Sequence, residues 1–201
     1  MDRKGILLVL SGPSGAGKGT ICRALQQDSP ALVLSVSATT RPPRSGEVDG
    51  VHYHFLEREV FQEMIEDDQL LEWAEVYGHY YGTPRRFVLD TLEEGKDLIL
   101  EIDIQGALQV KEKFPESVLI FIAPPSKPVL ISRLFARGTD APEEIQKRLS
   151  CTASEMKLAG RYDYLVLNDQ VTRALETIRS IILAEKSRPR YFTSFIAQFT
   201  H

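Results

Sequence analysis

The sequence predicts an α/β fold built on a parallel sheet, and three features carry that prediction. Val/Ile/Leu-rich runs recur at residues 6–10, 98–102, 118–122 and 164–167, the first of them unbroken, as in strands covered on both faces. Between them lie stretches whose apolar residues repeat at helical spacing. A glycine-rich loop at 12–17 joins the first strand to the first helix, and continued alternation of strand and helix is the order of a parallel sheet.

In chain order, a strand over 5–10 precedes the loop, and a helix begins at Lys18. Its apolar residues are Ile21, Ala24 and Leu25, and it fades near Asp28, Ser29 and Pro30. Residues 33–55 are β-type at both ends around an arginine-rich middle holding Pro42, Pro43, Gly46 and Gly50, which reads as an ordered or ligand-gated loop. A helix is expected over 60–67. Thr83 and Pro84 read as the N-cap and first position of another, running to Glu94 and stopped by Gly95. The strand at 98–102 ends in Asp103, a helix follows over 105–114, and Pro124 and Pro125 close the strand at 118–122. Asp140 caps a helix with Pro142 near its start. The strand at 164–167 leads to a helix whose apolar face is Val171, Ala174, Leu175, Ile178 and Ile182.

Composition sets outer limits. The 201 residues are 43% hydrophobic and 26% charged, enough for one good core. A formal net charge of −4 argues against a general nucleic-acid or membrane binder, though a locally basic cleft suffices for a small anion. Cys22 and Cys151 are the only cysteines and have no paired metal spacing, so a disulfide scaffold or structural zinc is not expected and a reducing cytoplasm is. His52, His54, His79 and His201 form no metal spacing either. The run at 6–10 is too short for a signal-peptide core or a membrane span. No internal repeat or low-complexity segment is seen.

Gly12, Pro13, Ser14, Gly15, Ala16, Gly17, Lys18, Gly19 and Thr20 match G-x-x-x-x-G-K in the context that makes the match meaningful, after a strand and opening a helix. Glycines let successive N–H groups turn toward one anion, the helix N-terminus adds partial positive charge, and Lys18 supplies a mobile cation for β- and γ-phosphates. A nucleoside triphosphate is the implied ligand. The motif calls for a hydroxyl after the lysine to face Mg²⁺; Gly19 has none, leaving Thr20 to substitute or to act through water.

Ser37, Ala38, Thr39, Thr40, Arg41, Pro42, Pro43, Arg44, Ser45, Gly46 and Glu47, followed by Tyr53, His54 and Phe55, resemble the GMP-binding region of guanylate kinases. Glu72-Trp73-Ala74, the run from Tyr80 to Thr83, and the run from Glu101 to Gly106 fall in the same order and spacing, and Arg137, Gly138, Thr139 and Arg148 resemble that family's lid. The similarity spans residues 6–186. It implies a three-layer P-loop NTPase fold with a GMP-binding insertion at 35–92 and a lid at 128–151, together making a domain over 1–190. It also implies ATP with Mg²⁺ as phosphoryl donor and GMP, with dGMP beside it, as acceptor.

By the same resemblance Lys18, Arg41, Arg137 and Arg148 are catalytic, and Arg137 and Asn168 touch ATP. Ser37, Arg41, Arg44, Tyr53, Glu72, Tyr81, Thr83 and Asp103 bind GMP. Glu101, two residues before Asp103, faces the same side of the strand and so can serve the metal's water shell. The chemistry agrees. Arginines and tyrosine hydroxyls suit a phosphate monoester. A carboxylate at 72 accepts from guanine N1–H and the 2-amino group, with Ser37 and Thr83 donating to O6. Asp103 either meets the guanine amino group or joins the Mg²⁺ water shell. Taken alone, arginines in a loop are more often solvated charge.

Two rival readings are a catalytically dead module holding an acidic or phosphorylated peptide, and a kinase for another nucleotide. The presence of Lys18 and the lid arginines opposes the first; the pairing of Glu72 with Ser37 opposes the second. Beyond the domain, residues 191–201 place Phe192, Phe195, Ile196 and Phe199 at helical spacing, an apolar stripe expected to pack on its own core or on a second subunit of a homo-oligomer.

Overall fold

The computed structural model of the chain describes residues 4–29, 31–136 and 142–199. The elements run β1 (Leu7–Ser11), α1 (Lys18–Asp28), β2 (Val33–Leu34), β3 (Ala38–Thr39), β4 (His54–Phe55), α2 (Arg58–Glu66), β5 (Leu70–Val76), β6 (His79–Pro84), α3 (Arg85–Glu93), β7 (Leu98–Glu101), α4 (Ile104–Lys113), β8 (Val118–Ala123), α5 (Lys127–Ala136), α6 (Pro142–Lys157), β9 (Tyr164–Leu167), α7 (Val171–Lys186) and α8 (Thr193–Ala197).

A five-stranded, all-parallel sheet in the order β2-β7-β1-β8-β9 forms the core. Its central strands β1 and β8 are buried along their whole length because successive side chains alternate between two covered faces, whereas Leu165 and Leu167 of the edge strand β9 are exposed. Leu8 and Leu10 join Ile99, Ile120, Ile122 and the inner sides of α1 and α7. Leu7 and Val9 join Leu98, Leu100, Leu119 and residues of α3 and α4. The chain winds to one side of β1 and then to the other, so β1 lies at the switch point, where ligands of open α/β sheets gather beyond the carboxyl ends of the strands.

A second sheet, β4-β3-β6-β5, is formed by residues 38–84 and is antiparallel except for the β3/β4 pair. Sequence pattern did not announce it, because its strands are short, polar on one face and interrupted by Gly82 and Pro84. It also overturns the expected helix start at Thr83. Cross-strand pairing of Thr83 with Glu72 draws residue 83 into β6, α3 begins at Arg85 behind Pro84, and no side chain caps it. The expected cap Asp140 lies outside the described residues.

Glu185 of α7 anchors the end of the domain. It is buried, accepts from the Tyr164 hydroxyl at 2.7 Å, and pairs with Arg188 at 2.7 Å and Arg190 at 3.4 Å. Beyond it, α8 is only five residues long, and Phe195, Ile196 and Phe199 are exposed. Glu185→Ala removes the acceptor shared by the Tyr164 hydroxyl, Arg188 and Arg190. It should cost about 2 kcal/mol and lower Tm by roughly 4–8 °C; an unchanged melting curve would deny the network any part in stability.

Candidate active site

The phosphate loop folds as its glycines require. Gly17, at φ 94°, precedes α1 in a left-handed conformation, and a side chain on it would strike the Asn168 carboxamide. Asn168, buried just beyond β9, donates through Nδ2 to the Ala16 carbonyl at 2.7 Å. Arg133 of α5 reaches the same carbonyl at 3.4 Å and the Asn168 carbonyl at 3.0 Å. Lys18 Nζ donates to the carbonyls of Gly12 at 2.6 Å and Pro13 at 3.3 Å, so the cation lies folded along the loop. Burial lowers the Lys18 pKa, opposed by the carboxylates of Glu101, Glu155 and Asp103.

Gly19 faces Glu101: an added Cβ would stand 3.3 Å from one carboxylate oxygen and 3.4 Å from the other. A serine hydroxyl there would compete with that carboxylate for the same space. Thr20 is exposed. Among the described residues no cluster of three or more His, Cys, Asp or Glu side chains forms a metal cage.

Arg148 of α6 donates through Nη1 to Ser14 Oγ at 2.7 Å, and its guanidinium lies 5.1 Å from the centre of the Tyr77 ring. One residue of α6 therefore meets the phosphate loop and the tip of the β5/β6 hairpin together. Glu155 lies seven residues, about two turns, further along α6, on the same helix face. Burial raises its carboxyl pKa, and Lys18 opposes the rise. Arg137, Gly138 and Thr139 lie outside the described residues.

On the second sheet Glu72 is 2% exposed and accepts from the Thr83 hydroxyl at 2.6 Å, a contact set by the β5/β6 register. Buried Ser37 lies just before β3. Asp103 follows β7 and caps α4, its two oxygens accepting from the N–H groups of Gln105 and Gly106, each at 3.1 Å. Burial drives the Glu72 pKa up to about 7, and the Asp103 carboxylate adds to the rise.

Arg41 pairs with Glu47 Oε1 at 2.9 Å and donates to the Pro42 carbonyl at 2.6 Å; the Arg44 N–H donates to Glu47 Oε2 at 2.7 Å. Burial works to raise the Glu47 pKa, but the hydrogen bonds from Arg44 and Arg41 outweigh it and hold the carboxyl low. The Arg41 guanidinium lies 5.5 Å from the Tyr53 ring, which meets the Tyr81 ring edge-on at 6.0 Å. Tyr53 is pushed up to about 12 by burial, with Glu101 contributing, so its phenol stays a donor near neutral pH.

Lys18, Ser14 and Arg148 thus come together on the core side, and Arg41, Tyr53 and Tyr81 on the inserted sheet. Sequence reading passed over Arg133, Glu155 and the clamping role of Glu47. For Glu47 the signal existed, a carboxylate within six residues of two loop arginines. Arg133 and Glu155 are ordinary helix charges until the fold aims them.

The ordinary Glu72 pKa is 4.5 and the folded value about 7. The stability contributed by this raised pKa is fully present below the unfolded value and is lost as pH rises through the folded one. Relative to Glu72→Gln, the unliganded chain should lose about 2–3 kcal/mol between about pH 5 and pH 8, followed by urea unfolding. A difference that does not vary with pH would mean that Glu72 is not the titrating group.

The guanylate kinase family model matches residues 4–185. The guanylate kinase of Caldanaerobacter subterraneus subsp. tengcongensis is 60% identical over 188 residues, covering 94% of this chain and 91% of that protein. That of Desulfitobacterium hafniense is 56% identical over 184 residues, covering 92% of each. A crystal structure of guanylate kinase from Anaplasma phagocytophilum superposes with a TM-score of 0.78 at 33% identity, covering 94% of this chain and 90% of that one. A family match over residues 4–185 and relatives more than half identical along nearly their whole length show that the chain belongs to the guanylate kinase family.

Proposed function

We propose that this chain, by family an ATP:GMP phosphotransferase, divides the reaction between its two sheets. The core holds ATP: residues 12–20 wrap the phosphates, and Lys18 leaves the loop carbonyls to follow the β- and γ-phosphate charge. Asn168 Oδ1, buried without a hydrogen-bond partner among the described residues, offers an acceptor to the adenine amino group. The inserted sheet holds GMP. Arg41, Arg44, Tyr53 and Tyr81 take its phosphate, Glu72 and Asp103 its N1–H and 2-amino group, and Ser37 and Thr83 its O6, the Thr83 hydroxyl turning its one hydrogen from Glu72 to the base. Residues 35–92 act as the GMP-binding insertion and 128–151 as the lid of a domain over 1–190.

The observation that carries this reading is the Arg148 bridge. A lid cation bonded to Ser14 and stacked near Tyr77 lies between the donor and acceptor sides. With Lys18, Arg41 and Arg137 it would neutralise the transferring phosphoryl group. A phosphate monoester is largely dianionic near neutral pH, with a second pKa of about 6. Its oxygen therefore bonds to the γ-phosphorus without a base while the bond to the β–γ bridging oxygen breaks and ADP departs; positioning and exclusion of water remain for the protein to supply. The residues also suit Mg²⁺ carried in by ATP: Glu101 is a carboxylate at the end of β7 that faces Gly19 at the start of α1, without forming a cage. With Asp103 committed to the base, Glu101 would hold the metal's water ligands, and the bound ion supplies charge neutralisation on the β- and γ-phosphate oxygens.

dGMP is accepted beside GMP, since none of these groups addresses the 2′-hydroxyl. Two free thiols, one of them exposed, suit a reducing cytoplasm; among the described residues no helix is long and apolar enough to cross a membrane. The exposed Phe195, Ile196 and Phe199 are assigned to a homo-oligomer contact. Deletion after Arg190 should then lower the subunit number seen in sedimentation, and an unchanged number removes the assignment.

An ADP-release assay with ATP, Mg²⁺ and a panel of nucleoside monophosphates tests the function. GMP should be turned over fastest; a folded sample that prefers AMP or UMP would refute it.

A further inference from the structure

Helix α4 presents, one turn apart on one face, two residues with no part in phosphoryl transfer: Gly106 and Gln109. At Gly106 any side chain would run into the Glu72 carboxylate, and an added Cβ would also stand 3.1 Å from an Asp103 oxygen. At Gln109 the carboxamide meets the main chain of Trp73 twice. The Trp73 N–H donates to Oε1 at 3.3 Å, and Nε2 donates to the Trp73 carbonyl at 2.7 Å.

This pairing has a plain cause. β5 is the edge strand of its sheet, and in an antiparallel pair the N–H and C=O of one residue point together, alternately toward the neighbour and away from it. Those of Trp73 point away from β6. Gln109 answers them as the peptide group of a further strand would, with one donor and one acceptor. β5 is thus held on one edge by β6 and on the other by α4. The adjacent Glu72 side chain, on the buried face, is set between the Thr83 hydroxyl and the backbone of α4 at Gly106.

We propose that the Gly106/Gln109 face of α4 fixes where Glu72 stands and so sets base specificity, with Gln109 as a positioning residue. The inference rests on reading Glu72 as the acceptor for guanine N1–H and the 2-amino group. Glu72 belongs to the inserted sheet, whereas Asp103, the other carboxylate on the base, is the cap of α4. Two groups that read one base from different elements must be held in register, and misplacement of about 1 Å can cost 100-fold. The carboxamide clamp supplies that register without touching the base.

The test is Gln109→Met, which keeps side-chain length and removes both hydrogen bonds, and Gln109→Glu, which keeps only the acceptor for the Trp73 N–H. Steady-state constants are measured for ATP, for GMP and for IMP, which lacks the 2-amino group. Gln109→Met should lower kcat/KM for GMP about tenfold and for IMP by less, leave KM for ATP within about twofold, and so narrow the preference for GMP. Gln109→Glu should fall between. A partly unfolded sample loses active enzyme for all substrates alike and leaves their ratios unchanged, so the ratios report position and not folding.

Equal losses on GMP and IMP, or no loss, would overturn the proposal. Glu72→Gln, assayed beside these, separates two failures. If it narrows the preference for GMP while Gln109→Met does not, the guanine reading stands and the positioning role falls; if it leaves the preference unchanged, both fall.

Discussion

The bond from Asn168 to the Ala16 carbonyl is the constraint on which the arrangement of the site depends. It joins the end of β9 to the phosphate loop that follows β1, two segments 152 residues apart in sequence. Both segments lie at the carboxyl edge of the parallel sheet, where buried side chains on each face leave the strands little room to shift. Arg133 binds the same carbonyl and the Asn168 backbone, so α5 is tied to the loop as well. A loop rich in glycine has much conformational freedom to lose. These hydrogen bonds, with the left-handed Gly17, hold it in one shape before an anion arrives.

A second constraint works against stability. Glu72 is an acid placed where burial favours its neutral form, with Asp103 close enough to add to the effect. A core residue chosen for stability alone would be apolar there. The carboxylate instead keeps acceptor capacity beyond the Thr83 hydroxyl, which suits a ligand bringing two adjacent N–H donors and costs stability while the site is empty. Glu47 is the opposite case. Its acid is held ionised by Arg41 and the Arg44 backbone, and the pair orders an arginine-rich loop that would otherwise wander in solvent.

Helix α6 connects the two regimes. Arg148 and Glu155 share a face of α6, one bonded at Ser14 and the other close enough to Lys18 to feel its charge. Opposite charges two turns apart on one helix thus address the hydroxyl and the cation of the same loop.

Local chemistry was legible from the sequence alone. The phosphate loop, the alternating core strands and the helix begun at Lys18 could all be read from residue type and period, because burial on both faces and phosphate binding each demand a short-range pattern. The resemblance carried the arginine loop and Glu72 further than their chemistry could. What only the tertiary structure decided is whatever depends on two distant segments meeting. The second sheet is one case, since its strands are short and half polar, and are stabilised by pairing across the hairpin rather than by their own periodicity. Thr83 looked like a helix cap and became a partner of Glu72, because register set a carboxylate opposite it. Asn168, Arg133 and Gln109 are the clearest cases: each is an ordinary polar residue in sequence, and each binds a main-chain group that only the folded chain brings within about 3 Å.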